Sequence, residues 1–256
     1  MSNQSNGLLA RARSGLRGYG THDAIARRDD RIRAHLAGLT DQALVVNVGS
    51  AFVRRFESDC PARYLATDLR ALDTVDFSSD AARLPLADDS VDTLLALELL
   101  EHVPDPVRVV AELARVVKPG GTVLLSVPSA VPRHDRNDFW RFTAQGLDQL
   151  CGPWFADGEV HVFGGTFETL GYLAAYYVSL LLHVLGVPGR TFRQFFPTIG
   201  HAIDRRAGWT TSTTGLHTLA FDLLFEGRGR PGASPGPAPG PAAGPVGPVE
   251  DWAPAP

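Results

Sequence analysis

Cysteine, lysine and methionine are all scarce in this chain of 256 residues. The two cysteines, Cys60 and Cys151, are too far apart in sequence for a chelating pair and too few for a disulfide framework. A disulfide-stapled secreted scaffold is therefore excluded, and a reducing compartment is expected. Lys118 is the only lysine, so arginine carries the remaining positive charge. The net charge of −4 and a pI near 6.0 leave no basic excess, and no nucleic-acid partner is expected. The first residues (MSNQSNG) lack the charged and apolar regions of a secretory leader, so a cytoplasmic location is expected. No internal repeat is evident.

What the chain does have is apolar content, 44% of its residues, enough for a sizeable core. Residues 1–20 are polar and predict a flexible N-terminal arm. Residues 22–37 predict a helix. Ile25, Ile32 and Leu36 fall on one face, and Arg27, Arg28, Asp29, Asp30, Arg31 and Arg33 cover the rest. This pattern reads as a solvated amphipathic helix beside a sheet, or as a lid over whatever the next segment binds.

That segment, residues 43–50 (ALVVNVGS), organises the rest. Its packed aliphatic residues predict a short strand buried on both faces, and Gly49-Ser50 a tight turn where backbone can approach a ligand. A second strand is expected over 62–67, ending at Asp68, about 20 residues beyond Gly49, the spacing of an acid that can accept a ribose diol. Short strands follow over 74–77 and 93–97, the latter ending at Glu98. Asp105-Pro106 reads as an N-cap with proline in the first helical position, opening a helix over 106–117. Pro119-Gly120-Gly121 is expected to stop that helix and turn the chain into a strand over 123–127. Strands alternating with helices predict a parallel, doubly wound α/β sheet, with ligands at the carboxyl ends of its strands.

Five stretches together resemble the class I S-adenosylmethionine-dependent methyltransferases, in the type 11-like group. They are residues 45–50 (VVNVGS), 64–68 (YLATD), 80–92 (DAARLPLADDSVD), 97–106 (LELLEHVPDP) and 113–121 (LARVVKPGG). Residues 134–143 (HDRNDFWRFT) look like a subgroup from bacterial glycan and secondary-metabolite pathways. The resemblance implies a Rossmann-like, seven-stranded, mostly parallel sheet whose last strand is antiparallel. It also implies S-adenosyl-L-methionine as cofactor and methyl transfer to a small-molecule acceptor, such as a saccharide or a natural-product hydroxyl. By the resemblance Asn47, Gly49 and Ser50 form the cofactor loop, and Asp68 holds the ribose. Asp80 and Ala81 line the adenine, Glu98 lies at the amino-acid end, and Glu101 and His102 open the acceptor cavity.

The chain departs from the family at the loop itself. Asn47 stands where an acid is usual, and Ala51 and Phe52 where glycines are usual. A neutral acceptor at Asn47 is weaker than a carboxylate. This keeps open a non-catalytic binding or assembly relative. A nicotinamide-dependent oxidoreductase is a further alternative, but Gly49 to Phe52 supplies one glycine where a dinucleotide loop needs three.

If the acceptor is a hydroxyl, a base is needed, and His102 is the candidate catalytic residue. His134, Trp140 and Arg141 are candidate substrate contacts: Trp140 can stack on a flat acceptor and Arg141 can pair with an anion. Equally, Trp140 and Arg141 can pin their own loop. His134 and Asp135 offer only two ligands, so no metal site is expected.

Toward the C-terminus, Thr143 is expected to cap a short helix, and 159–163 to form a sixth strand. Residues 169–189 carry no formal charge. Their length suits a membrane span, but Gly171, Ser179, His183 and Gly186 dilute them. A core or homodimer-contact helix, or peripheral membrane contact, are the other readings. A last strand is expected over 218–225, within a methyltransferase domain spanning 21–228 that carries a helical insertion at about 166–214. Residues 229–256 are rich in proline, glycine and alanine and are expected to be a disordered tail.

Overall fold

A computed structural model describes residues 23–51, 54–184, 202–206 and 221–231. The expected arm, the tail, Phe52 and most of the region 185–220 lie outside the described residues.

The chain opens with helix α1 (Asp23–Ala37) and enters strand β1 (Leu44–Val48). Strands β2 (Arg63–Asp68), β3 (Phe77–Ser78) and β4 (Val91–Leu97) follow, then helix α2 (Pro106–Val116) and strand β5 (Val117–Pro128). Helix α3 (Ala144–Cys151), strand β6 (Phe155–Phe163), helix α4 (Thr166–Val184) and strand β7 (Asp222–Gly229) complete the described elements. The seven strands form one sheet in the order β3-β2-β1-β4-β5-β7-β6. All neighbours pair in parallel except β7, which is antiparallel to both β5 and β6. The expected sheet, with its antiparallel last strand, is the observed one.

Strand alternation divides the core between the two faces of this sheet. Val46, Leu94, Leu125 and Phe225 pack on one side with Val109, Val110 and Leu113 of α2 and Leu147 of α3. Val45, Leu95, Leu124 and Leu224 pack on the other with Ile32 and Leu36 of α1. Each central strand therefore buries both faces, which is why its sequence is mostly aliphatic, interrupted by Asn47 in β1 and by Asp92 and Thr93 in β4.

The α2 helix starts as predicted: Asp105 accepts from the Arg108 backbone N–H, and Pro106 stands at the first turn. Its end differs. Pairing resumes at once, Val117 opposite Val91, before the ladder shifts and continues at Thr122 opposite Thr93. Pro119-Gly120-Gly121 thus makes an irregularity within β5, with Gly120 at φ 77°, and not a turn before it. The last strand begins four residues later than expected, at Asp222, and β6 begins earlier, at Phe155.

Of the expected insertion, α4 and the helical residues 202–206 are described. Buried Asp204 accepts from the Phe167 and Glu168 backbone N–H groups and so caps α4. Buried Glu168 in turn accepts from the backbone N–H of Ala24 and from Arg27, tying α4 to the start of α1. Among the described residues no helix is long and apolar enough to cross a membrane.

Candidate functional site

A cleft of about 890 Å³ opens at the carboxyl ends of β1, β2 and β4. Its floor is the turn after β1. The Gly49 and Ser50 backbone N–H groups both donate to the Thr67 carbonyl, at 2.8 and 3.0 Å, which folds the turn onto the end of β2. Gly49 sits at φ 75°, and a Cβ there would come within 2.8 Å of Leu99 Cδ1. Backbone conformation and space therefore both require glycine. The Ser50 hydroxyl is buried and has no hydrogen-bond partner, an orphan that faces the cleft lining. Asn47, at 3% exposure, adds a neutral amide to the lining.

Asp68 stands at the tip of β2. One carboxylate oxygen accepts from the Ala51 N–H at 3.0 Å, the other from the backbone N–H and side chain of Arg70. Burial opposes its charge, but Arg70 and these N–H groups outweigh burial and hold the carboxyl below its ordinary range. Arg70 is 54% exposed and can rotate away, leaving an ionised acceptor at the cleft edge. Asp80 and Ala81 line the next stretch, with Asp80 accepting from the Ala82 N–H. Glu98, in the left-handed region at φ 52°, ends β4 and also lines the cleft.

The largest departure from the sequence reading lies in α1. Arg28 and Asp29 belong to the buried side of the helix, at 1% and 4% exposure, and not to a solvated face. Arg28 donates to Glu98, Asp222, Ser126 and Asp29, and Arg55 caps the group by pairing with Asp29. Burial pushes the Asp222 carboxyl upward, against the pull of Arg28. One guanidinium thus fixes the carboxylate of Glu98 and ties α1 to the ends of β4, β5 and β7. The spacing carried this signal. Positions 28 and 29 fall three and four residues after Ile25, on the stripe that continues through Ile32 and Leu36.

The other end of the cleft carries the histidines. His102 closes the short 3₁₀ turn Leu100–His102. Its Nδ1 lies 2.5 Å from the Asn137 carbonyl. A carbonyl only accepts, so Nδ1 carries a proton, and the neutral ring then has its lone pair on Nε2. His134 also lines the cleft, with its Nδ1 3.2 Å from Asp138 Oδ2. Glu101 is fully buried, and neither carboxylate oxygen has a hydrogen-bond partner. Burial, and then the neighbouring Glu98, push its carboxyl up to about 9.

Trp140 and Arg141 do not line the cleft. The Trp140 indole donates to the Val103 carbonyl at 2.9 Å. Arg141 grips buried Asp138 and the carbonyls of Val131 and Pro132. Burial opposes the charge of Asp138, but Arg141 and the His134 N–H hold it down at about 2. Both residues thus pin their own loop, and neither is part of the cleft lining. An aromatic wall stands in their place. Tyr172 and Tyr176 of α4 and Phe221 line the cleft, Tyr172 meeting Phe221 edge-on at 4.8 Å. The periodicity of α4 is apolar nearly all round, so no pattern marks which of its residues face the cleft.

Residues 32–125 match the family model described as a methyltransferase domain. A methyltransferase of Streptomyces halstedii is 46% identical over 79 residues, 30% of this chain and 28% of that protein. An uncharacterized methyltransferase of Mycobacterium avium is 35% identical over 118 residues, 41% of this chain and 47% of that protein. The chain thus matches less than half the length of these relatives. Among solved structures, an S-adenosylmethionine-dependent methyltransferase from Archaeoglobus fulgidus superposes with TM-score 0.51 at 13% identity, covering 82% of this chain and 95% of that one. A Haemonchus contortus phosphoethanolamine N-methyltransferase in complex with S-adenosyl-L-methionine also reaches 0.51 at 11% identity, covering 80% of this chain and 53% of that one. These two likenesses concern the fold.

Proposed function

We propose, for a chain that carries a class I S-adenosylmethionine-dependent methyltransferase domain, that the cleft binds this cofactor and methylates a hydroxyl of a small-molecule acceptor. The observation that carries the proposal is the convergence of Gly49, Ser50, Asp68, Asp80, Ala81 and Glu98 on one cleft at the strand ends. The donor set fits the cofactor. The bare Gly49 backbone and the unpartnered Ser50 hydroxyl suit a polar chain lying close to the turn. Asp68 is ionised and suits two ribose hydroxyls. Asp80 and Ala81 would border the adenine, and Glu98, held in place by Arg28 and Ser126, the cationic amino group. When bound, the cofactor supplies a methyl group already activated on a sulfonium.

The protein's own part is then proximity, orientation and one proton. His102, which lines the cleft, takes the acceptor's proton on Nε2. Asn137 holds the tautomer that makes this possible. Tyr172, Tyr176 and Phe221 offer ring faces and edges to the acceptor body, which suits a saccharide face or a flat natural product. The experiment is transfer of a labelled methyl group to a panel of saccharides and hydroxylated natural products. Label in an O-methyl product, lost in His102→Ala with cofactor affinity intact, is the expected result. Cofactor binding with no transfer to any hydroxyl, or transfer only to nitrogen or carbon, would overturn the acceptor class.

A further inference from the structure

Glu101, His102 and His134 arrive from two different loops, after β4 and after β5, yet one donor atom from each lies within 4.8 Å of the others. We propose that these three side chains form a divalent-cation site at the acceptor end of the cleft, and that its open positions take an acceptor with two adjacent oxygen donors, such as a vicinal diol. This rests on the reading of that end of the cleft as the acceptor site.

Four observations carry it. First, the Glu101 carboxylate is fully buried with both oxygens unpartnered, and its Oε1 lies 3.6 Å from His102 Nε2. Cis ligands around an ion with bonds of about 2.0–2.2 Å stand about 3–3.5 Å apart, so little contraction is needed. Second, both imidazoles already have the outer partners that metal-bound histidines use. His102 Nδ1 donates to the Asn137 carbonyl, and His134 Nδ1 faces the Asp138 carboxylate. With Nδ1 as the donor, each neutral ring has its lone pair on Nε2. The outer partners are themselves fixed, Asp138 being buried and gripped by Arg141. Third, the surroundings are acidic: Glu98 and Asp222 line the same cleft, and Asp138 stands beside His134. Fourth, His102 and His134 line the cleft whereas Glu101 lies behind them, so any remaining coordination position opens toward the acceptor.

Two imidazoles and one carboxylate suit zinc, iron(II), cobalt(II) or manganese(II) and not calcium. Three protein ligands leave room for exogenous oxygen. With the ion present, His102 Nε2 is a ligand, and its part is to hold the ion that would acidify the acceptor hydroxyl, whose proton then passes to water in place of His102. The sequence reading weighs His134 with Asp135 alone, two ligands that do not make a site. It is the fold that brings Glu101 and His102 to His134.

The test uses the full chain without an affinity tag, stripped with EDTA, dialysed and titrated with cobalt(II) chloride. The visible d–d bands are followed, and zinc(II) is then added as competitor. We expect one equivalent of cobalt, displaced by zinc. Affinity should fall more than about 100-fold in His134→Ala and in Glu101→Gln, and about 10–100-fold in Asp138→Asn, which removes only an outer partner. Glutamine keeps the shape of the glutamate side chain, so the fold is not at risk. Calorimetry with S-adenosylmethionine on the stripped protein separates this proposal from the reading it rests on. Cofactor binding without d–d bands overturns the cation site alone, as do bands that persist unchanged in both ligand variants.

Discussion

Glu101→Gln is the most informative single perturbation of this fold. The carboxyl is fully buried, unpartnered and raised from 4.5 to about 9. Between those values the folded protein holds a proton on Glu101 that the unfolded chain has released. Stability therefore falls as pH rises across that window, and the contribution is gone above the folded value. Glutamine has the same shape and nothing to release. The gap between variant and wild type should be absent near pH 4.5 and widen by at most about 1.4 kcal/mol per pH unit. At pH 7 this makes the variant about 3 kcal/mol more stable, or about 6–12 °C in Tm for a domain of this size. The assay is thermal unfolding followed by circular dichroism from pH 5 to 9, in EDTA so that no cation occupies the site. Equal Tm values at pH 5 and pH 8 would refute the reasoning, because they would mean that Glu101 is solvated or paired.

Other perturbations have expected outcomes of their own. Arg28→Leu leaves Asp222 buried without its cation and Asp29 with Arg55 alone, and should cost about 3–5 kcal/mol in chemical denaturation; a loss below 1 kcal/mol would show that the network is not structural. Gly49→Ala forces a side chain at φ 75° against Leu99 and should cost about 1–3 kcal/mol while weakening cofactor binding; unchanged calorimetry would deny the close approach of backbone to ligand. Asp204→Ala removes the buried cap of α4 and should lower stability by about 1–2 kcal/mol, measured by the same denaturation; no loss would mean that residues 202–206 do not hold α4.

The central sheet was legible in sequence because its physics is local. Strands buried on both faces need continuous aliphatic runs, and residues 44–48 and 91–97 consist of little else. Asp105-Pro106 fixed the start of α2 for the same reason: the cap and the proline act within one turn. Boundaries failed where tertiary pairing decides them. Val117 pairs with Val91 before the Pro-Gly-Gly segment, and no local signal announces that partner. Of the cleft, the turn at Gly49 and the acid at Asp68 follow from spacing. The buried state of Arg28 was readable from its place on the Ile25–Ile32–Leu36 stripe, but charge argued against placing it inside. A charged residue on an apolar stripe marks a buried network when its partners lie elsewhere in the chain, as Glu98 and Asp222 do. The isolation of the Glu101 carboxylate, and its meeting with His134, arise from packing between distant loops and leave no trace in the sequence around either residue.

Calorimetric titration of the full chain with S-adenosyl-L-methionine, in parallel with Asp68→Ala, tests the cofactor cleft most directly. Saturable one-to-one binding to the wild type, lost in the variant while its Tm is retained, is the predicted result. No heat of binding to the wild type at millimolar cofactor would contradict it.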